Sequence, residues 1–293
     1  MDTDKLKIKN RKLSLEDSVK IYISADMEGV GGIVHSDQTD STHPEYQRGR
    51  KLMTAEVNAA IEGALKGGAT EVLVNDSHGG MRNILIEELN SEAVLLSGAP
   101  KQFSMMAGID RTFDAVFFTG YHARAGSSSA NLDHTWNGPI TVQNIWLNGV
   151  EVGESGLNAA LAGYFDVPVV LITGDQTACT QAKELLGADL ETAVVKEAMG
   201  RASAKNLHPT IAHALIRDAA VRAVALRKKR APFTFKSPTT LRLALARSSQ
   251  AERCLMMPNV KLISPRVVEF THDDYTVLYN AFRALMVLAD IHV

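Results

Sequence analysis

The 293-residue chain is long enough to bury a sizeable core, as one large or two modest domains, and its 45% hydrophobic and 22% charged residues are ordinary globular composition. With 31 basic and 33 acidic residues it carries no broad field for nucleic acid or an anionic membrane, so any partner must be read from local sites. Cys179 and Cys254 are too few for a disulfide framework, and no window approaches the roughly 18 uninterrupted apolar residues of a membrane span; a cytoplasmic protein is expected.

Residues 1–18 alternate charged residues with isolated leucines, lack the apolar segment of a signal peptide, and are expected to form a flexible N-terminal extension. Ile21-Tyr22-Ile23 then reads as a buried strand that stops at Asp26-Met27-Glu28-Gly29. A Gly- and Asp-rich loop follows over 29–45, long enough to be functional or mobile. Met53, Val57, Ile61 and Leu65 recur at helical spacing until Gly67-Gly68 ends the pattern, and Glu71 to Val74 returns as a strand, so this stretch is a βαβ unit. The amphipathic segment Ile84 to Leu89 leads to a strand at Val94-Leu95-Leu96, and Ala115 to Thr119 is the third strong strand.

Farther along, Asn148-Gly149 sits between alternating apolar residues over 145–152 and predicts a tight hairpin. Gly153-Glu154-Ser155 opens a helix, and Val167 to Thr173 is another buried strand. From about Glu191 the character shifts. A helix runs from Pro209 to Lys229, and its closing cluster Arg227-Lys228-Lys229-Arg230 reads as a solvated C-terminal cap that suits the helix dipole. Strands at 240–246, 260–263 and 267–270 and a helix at 275–290 complete the chain. The expected fold is α/β, a mostly parallel central sheet flanked by helices with a smaller C-terminal α+β region. Residues 19–190 are expected to form a metal-binding catalytic domain, and 191–293 a smaller domain with oligomer contacts.

Three strands each run into an acid or an imidazole: Asp26 and Glu28 after the first, Asn75-Asp76-Ser77-His78 after the second, and His122 after the third. In a parallel sheet those side chains arrive at one edge, where open α/β sheets place ligands. Asp26 and Glu28, two apart, project to one side of extended backbone and repel unless a cation sits between them. A solvent-exposed acidic loop, a helix-capping His78 and a dipole-stabilising Glu154 are the plain alternatives for each residue alone. Asp26, Glu28, His78, His122 and Glu154 together make a donor set for two borderline cations, for which hydrolysis by an activated water is the natural reaction. His134, in a polar loop, has the access a catalytic imidazole needs and is equally read as merely exposed. Gly29-Val30-Gly31-Gly32 lacks the third glycine and the helix of a dinucleotide turn, and no HExxH, GxSxG or GxxxxGK motif is present.

The words Ser24-Ala25-Asp26-Met27-Glu28-Gly29, Val74-Asn75-Asp76-Ser77-His78, Gly120-Tyr121-His122-Ala123-Arg124-Ala125 and Val152-Gly153-Glu154-Ser155-Gly156-Leu157-Asn158-Ala159 together resemble the zinc-dependent D-aminopeptidase family, the DppA-type peptidases of family M55. Tyr46-Gln47-Arg48-Gly49-Arg50, Phe103-Ser104-Met105 and Gly163-Tyr164-Phe165-Asp166-Val167-Pro168 are similar too, in the same order from Ile21 to about Asp175. The resemblance implies two Zn2+ per subunit, with Co2+ or Mn2+ as chemically acceptable substitutes. Asp26 would bridge them, with Glu28 and His122 on one ion and His78 and Glu154 on the other. It makes His134 the catalytic imidazole, with Asp133 beside it departing from the family pattern. It also implies removal of an N-terminal D-amino acid, of D-alanine type, from short peptides or amides, by a ring-shaped, decameric homo-oligomer. A metal-dependent hydrolase of another amide or a phosphoester, and a non-catalytic assembly protein with a structural ion, are the alternatives that the donor set alone leaves open.

Overall fold

The computed structural model describes residues 18–136 and 140–290; the expected extension over residues 1–18 lies, apart from Ser18, outside them. Among the described residues twelve strands form two sheets. The larger takes β1 (Lys20–Ala25), β2 (Glu71–Asp76), β3 (Ala93–Leu96), β4 (Ala115–Tyr121), β7 (Val169–Asp175), β8 (Glu191–Gly200) and β9 (Ser203–Asn206) in the order β3-β2-β1-β4-β7-β8-β9. Every pairing in it is parallel except β8 with β9. The smaller sheet is antiparallel and combines β5 (Val142–Leu147), β6 (Val150–Val152), β10 (Thr239–Leu245), β11 (Lys261–Ser264) and β12 (Val267–His272).

Strand alternation explains the layers. Ile21, Ile23 and Ala25 of β1 face one core with Met53, Val57 and Ile61 of α1 (Tyr46–Lys66) and Ile216 and Ala220 of α4 (Pro209–Leu226). Tyr22, between them, faces the other core. There the large sheet meets α2 (Glu154–Tyr164), α3 (Gln176–Leu186), the small sheet, α5 (Ser248–Cys254) and α6 (Tyr275–Ala289). The α/β architecture expected from the sequence is borne out. No helix among the described residues is long and apolar enough to cross a membrane.

Strand pairing crosses the expected boundary at residue 190. The large sheet takes β8 and β9 from after it, and the small sheet takes β5 and β6 from before it, through β5 pairing with β10. The physical reason is that the 142–152 hairpin has an apolar face, Val142, Ile145 and Leu147, that pairs level with Leu241, Leu243 and Leu245 of β10 and extends one continuous apolar surface into the shared core. That hairpin turns as expected, with Asn148 and Gly149 at φ 49° and 83°. Residues 84–89 form turns rather than a regular element, because Asp76 accepts from Asn83 N (2.6 Å) and Ile84 N (2.8 Å) and Thr54 Oγ1 accepts from Leu85 N (3.0 Å). The basic cluster after α4 is not wholly solvated. Arg230 is buried, pairs with Asp189, and donates to Leu186 O at 2.8 Å and Val169 O at 3.1 Å, tying the end of α4 to β7 and α3.

Candidate metal centre

From β1 the chain turns to β2 and β3 on one side and then to β4 on the other, so the crevice between β1 and β4 is the topological switch point of the sheet. Ala25 is level with Asp76 on one neighbour and Thr119 on the other. Asp26, Ser77-His78 and His122 therefore leave the sheet together at its C-terminal edge. Two glycines clamp the first and third of these exits: Gly29 N donates to Gly120 O at 2.8 Å, and Asp26 N to Thr119 O at 2.8 Å. A Cβ on Gly29 would lie 2.0 Å from Tyr121 O, and one on Gly120, at φ +67°, would lie 2.2 Å from Asp26 O. The loop beyond Glu28 is fixed from below by the buried Lys196 of β8, whose ammonium donates to Glu28 O (2.6 Å), Val30 O (3.1 Å) and Ile33 O (2.5 Å).

All six candidate residues meet. His78 Nε2 lies 3.0 Å from Glu28 Oε1; His122 Nε2 lies 3.4 Å from both Asp26 Oδ2 and Glu154 Oε2; His134 Nε2 lies 3.9 Å from Glu154 Oε1. Donor atoms of Asp26, His122 and Glu154 fall within 4.8 Å of one another, as do those of Glu28, His122 and His134. Asp26 Oδ2, Glu28 Oε2 and His122 Nε2 are buried and have no hydrogen-bond partner. Buried polar atoms without partners are costly, and three aimed into one crevice are what a cation site leaves when its ion is not counted. The residues therefore fit a metal.

Partners outside the cluster orient the rings. His122 Nδ1 faces its neighbour Ala123 O at 3.0 Å, and His134 Nδ1 faces Leu132 O at 2.8 Å. A carbonyl only accepts, so in the neutral rings Nδ1 carries the proton and each Nε2 presents its lone pair to the carboxylates. His78 Nδ1 faces Asn83 Oδ1 at 3.3 Å, and Asn83 is in turn held by Asp76 and the Tyr46 hydroxyl. Asp133, the residue beside His134, turns away: its carboxylate accepts from Arg201 at 2.6 Å and from Gly126 N at 2.8 Å.

Electrostatics follow from the crowding. Burial, then the charge of Glu28, raises the Asp26 carboxyl well above its usual range. Burial would raise Glu28 as well, but the His78 imidazolium holds it well below. Burial lowers His78, yet Glu28 outweighs it and carries the ring up to about 10. His122 is likewise raised against its burial, by Glu154, whereas His134 is lowered by burial and by His122 beside it.

Residues 19–284 match the family model of the M55 peptidases, described as D-aminopeptidase. The chain belongs to the D-aminopeptidase family. It is 38% identical to the D-aminopeptidase of Bacillus subtilis (strain 168) over 274 residues, 93% of this chain and 97% of that one. It also superposes on the solved Zn-dependent D-aminopeptidase DppA from Bacillus subtilis, a self-compartmentalizing protease, with a TM-score of 0.89, 38% identity, and coverage of 92% of this chain and 98% of that one. The family expected from the sequence words, and with it a peptide-bond hydrolase, is borne out.

In this D-aminopeptidase the sequence reading missed three residues that shape the site. Lys196 supports the Glu28 loop, Trp136 donates its backbone N–H to Glu154 Oε1 at 2.6 Å, and Arg283 lines the cavity over the cluster. Lys196 directly follows the apolar run Ala193-Val194-Val195, and that is only a weak signal. The other two carry none.

Proposed function

We propose that this enzyme removes an N-terminal D-amino acid, of D-alanine type, from short peptides or amides at a di-zinc centre held by Asp26, Glu28, His78, His122 and Glu154. The observation that carries this reading is the convergence of those five side chains, with three orphaned buried donor atoms, at the switch point of a D-aminopeptidase-family sheet. Asp26, central among the carboxylates, would be shared between two ions, with Glu28 and His122 on one and His78 and Glu154 on the other. Bound zinc supplies a water acidic enough to ionise near neutral pH and a polarised scissile carbonyl; a mixed carboxylate and imidazole shell also accepts Co2+ or Mn2+.

The chain's own residues do the rest. His134 presents Nε2 toward Glu154 and holds its Nδ1 proton on Leu132 O, so it can take a proton from the attacking water and pass it to the leaving amine. Glu154 is fixed by the Trp136 backbone N–H and cannot swing away. The cavity above, about 260 Å³ and lined by Met81, Met105 and Trp136 besides the charged groups, suits a small ligand rather than a folded protein. A ring-shaped, decameric homo-oligomer completes the reading: Leu255 and Met256 just after α5, Leu262 and Ile263 on β11, and Val277 and Val287 on α6 expose apolar surface, and the Bacillus subtilis relative is self-compartmentalizing. The buried free cysteines suit the cytoplasm.

Turnover of D-alanyl and L-alanyl dipeptides, with and without chelator, tests this. Release of D-alanine that stops on chelation and returns with zinc is expected. Equal cleavage of both enantiomers, or activity indifferent to chelator, overturns the reading.

A further inference from the structure

The cavity over the donor cluster is lined by three acids, Asp26, Glu28 and Glu154, and by two cations, Lys101 and Arg283. Lys101 is fully engaged, its Nζ donating to Asn75 Oδ1 at 2.6 Å, Asp76 O at 2.7 Å and Leu96 O at 3.4 Å. Arg283 is not. Its guanidinium carbon lies 4.8 Å from the centre of the Trp136 ring, and among the described residues it has neither an ion pair nor a hydrogen bond. Trp136 is itself packed edge-on against Phe282, with ring centres 4.9 Å apart, and its backbone N–H is bonded to Glu154. The guanidinium is thus seated on a fixed aromatic platform coupled to the reaction site, with all five donors unspent among the described residues.

A half-buried planar fork of donors in a small cavity is built for a planar anion, which it binds through two parallel hydrogen bonds. Among the described residues no carboxylate fills that place. Resting on the aminopeptidase reading above, the amine end of the substrate belongs to the donor cluster, and the anion a short peptide also carries is its free C-terminal carboxylate. We propose that Arg283 receives the C-terminal carboxylate of a short peptide substrate. A fixed guanidinium then also reads length, because each added residue carries the carboxylate about 3.5 Å farther from the scissile bond.

Kinetics on the zinc-loaded enzyme with D-alanyl-D-alanine and its C-terminal amide test the assignment. Wild type is expected to show a KM for the free acid roughly tenfold to a hundredfold below that for the amide, the worth of charge-assisted hydrogen bonds. In Arg283→Met, which keeps an apolar stem over Trp136, that KM ratio falls to about one, with the change in KM rather than kcat. Arg283→Lys restores part of it. A ratio near one in wild type, or a ratio unaltered in Arg283→Met, overturns the proposal. Should wild type turn over neither compound, the activity reading fails, and calorimetry decides Arg283 separately: tighter binding of the acid than of the amide, lost in Arg283→Met, supports the anchor, and equal affinities reject it.

Discussion

The imidazole rings of His122 and His134 stack with centres 3.9 Å apart and planes 11° from parallel. Two rings so close cannot both carry a full charge, and their surroundings decide which does. His122 lies 3.4 Å from Asp26 and from Glu154 and is the ring pushed up; His134, with its carboxylate at 3.9 Å, is the ring pushed down. One ring is suited to stay within the donor cluster. The other stays neutral at pH 7 and is free to move protons.

His134→Ala is therefore expected to keep its zinc and to lose turnover by about 10²- to 10⁴-fold. Metal analysis beside kinetics on a D-alanyl amide checks it, and retained activity rejects the role. Because His134 is lowered from its ordinary value near 6.5, its base form dominates at pH 7. Wild-type kcat/KM falls only once the pH drops below the ordinary imidazole range, where this lowered ring protonates.

Zinc uptake by the metal-free enzyme releases protons. His78 titrates at about 10 there, so at pH 7 it is charged and must lose its proton to become a ligand; the upward shift of the Asp26 carboxyl acts in the same sense. Zinc affinity therefore rises with pH over roughly 6 to 9 as these groups give up their protons. Calorimetric titrations in buffers of different ionisation enthalpy count the protons, and a pH-independent affinity contradicts the expectation.

Lys196→Met leaves three carbonyls of the Glu28 loop without their donor. A supporting contact of this kind is worth about 10- to 100-fold in metal affinity. Competition with a chromophoric chelator measures the loss, and an unchanged affinity would mean that the Gly29–Gly120 clamp suffices alone.

Glu56, buried in α1, accepts from Gly31 N at 2.8 Å, and burial raises it to about 7. Below about pH 4.5 both folded and unfolded states are protonated. Above it the unfolded chain loses the proton first, so stability falls as pH rises and the loss, about 3 kcal/mol, is complete above 7. Glu56→Gln, which can still accept from Gly31, gains on wild type in melting temperature between pH 5 and 8. A constant difference across that range refutes the assignment.

The donor cluster was legible because strand signatures and the acids or imidazoles that end them are adjacent in sequence, and parallel pairing with Ala25 level with Asp76 and Thr119 does the gathering. The 142–152 hairpin was legible for a similar reason, since Asn148-Gly149 encodes its turn locally. Strand β8 was hidden by Lys196, a charge where a buried strand shows an apolar residue, and explained only by three carbonyls from the β1 loop. Helix α3 begins at a cap, Asp175 accepting from Ala178 N at 2.8 Å, that the preceding strand obscures. The boundary near residue 190 failed because composition reports what a segment is made of, not which strands it pairs with. Arg283 and Trp136 share a place only after α6 has packed, and no local pattern announces them.

The contact between Gly29 and Gly120 gives the enzyme a gauge made of main chain. Side chains in the two cores can be exchanged for others of similar bulk and the spacing from Asp26 to His122 stays where peptide geometry sets it. Variation among relatives can thus reshape which molecules are accepted while the reacting centre keeps one bore, and neither glycine can be traded for even the smallest side chain without prising the two strand ends apart.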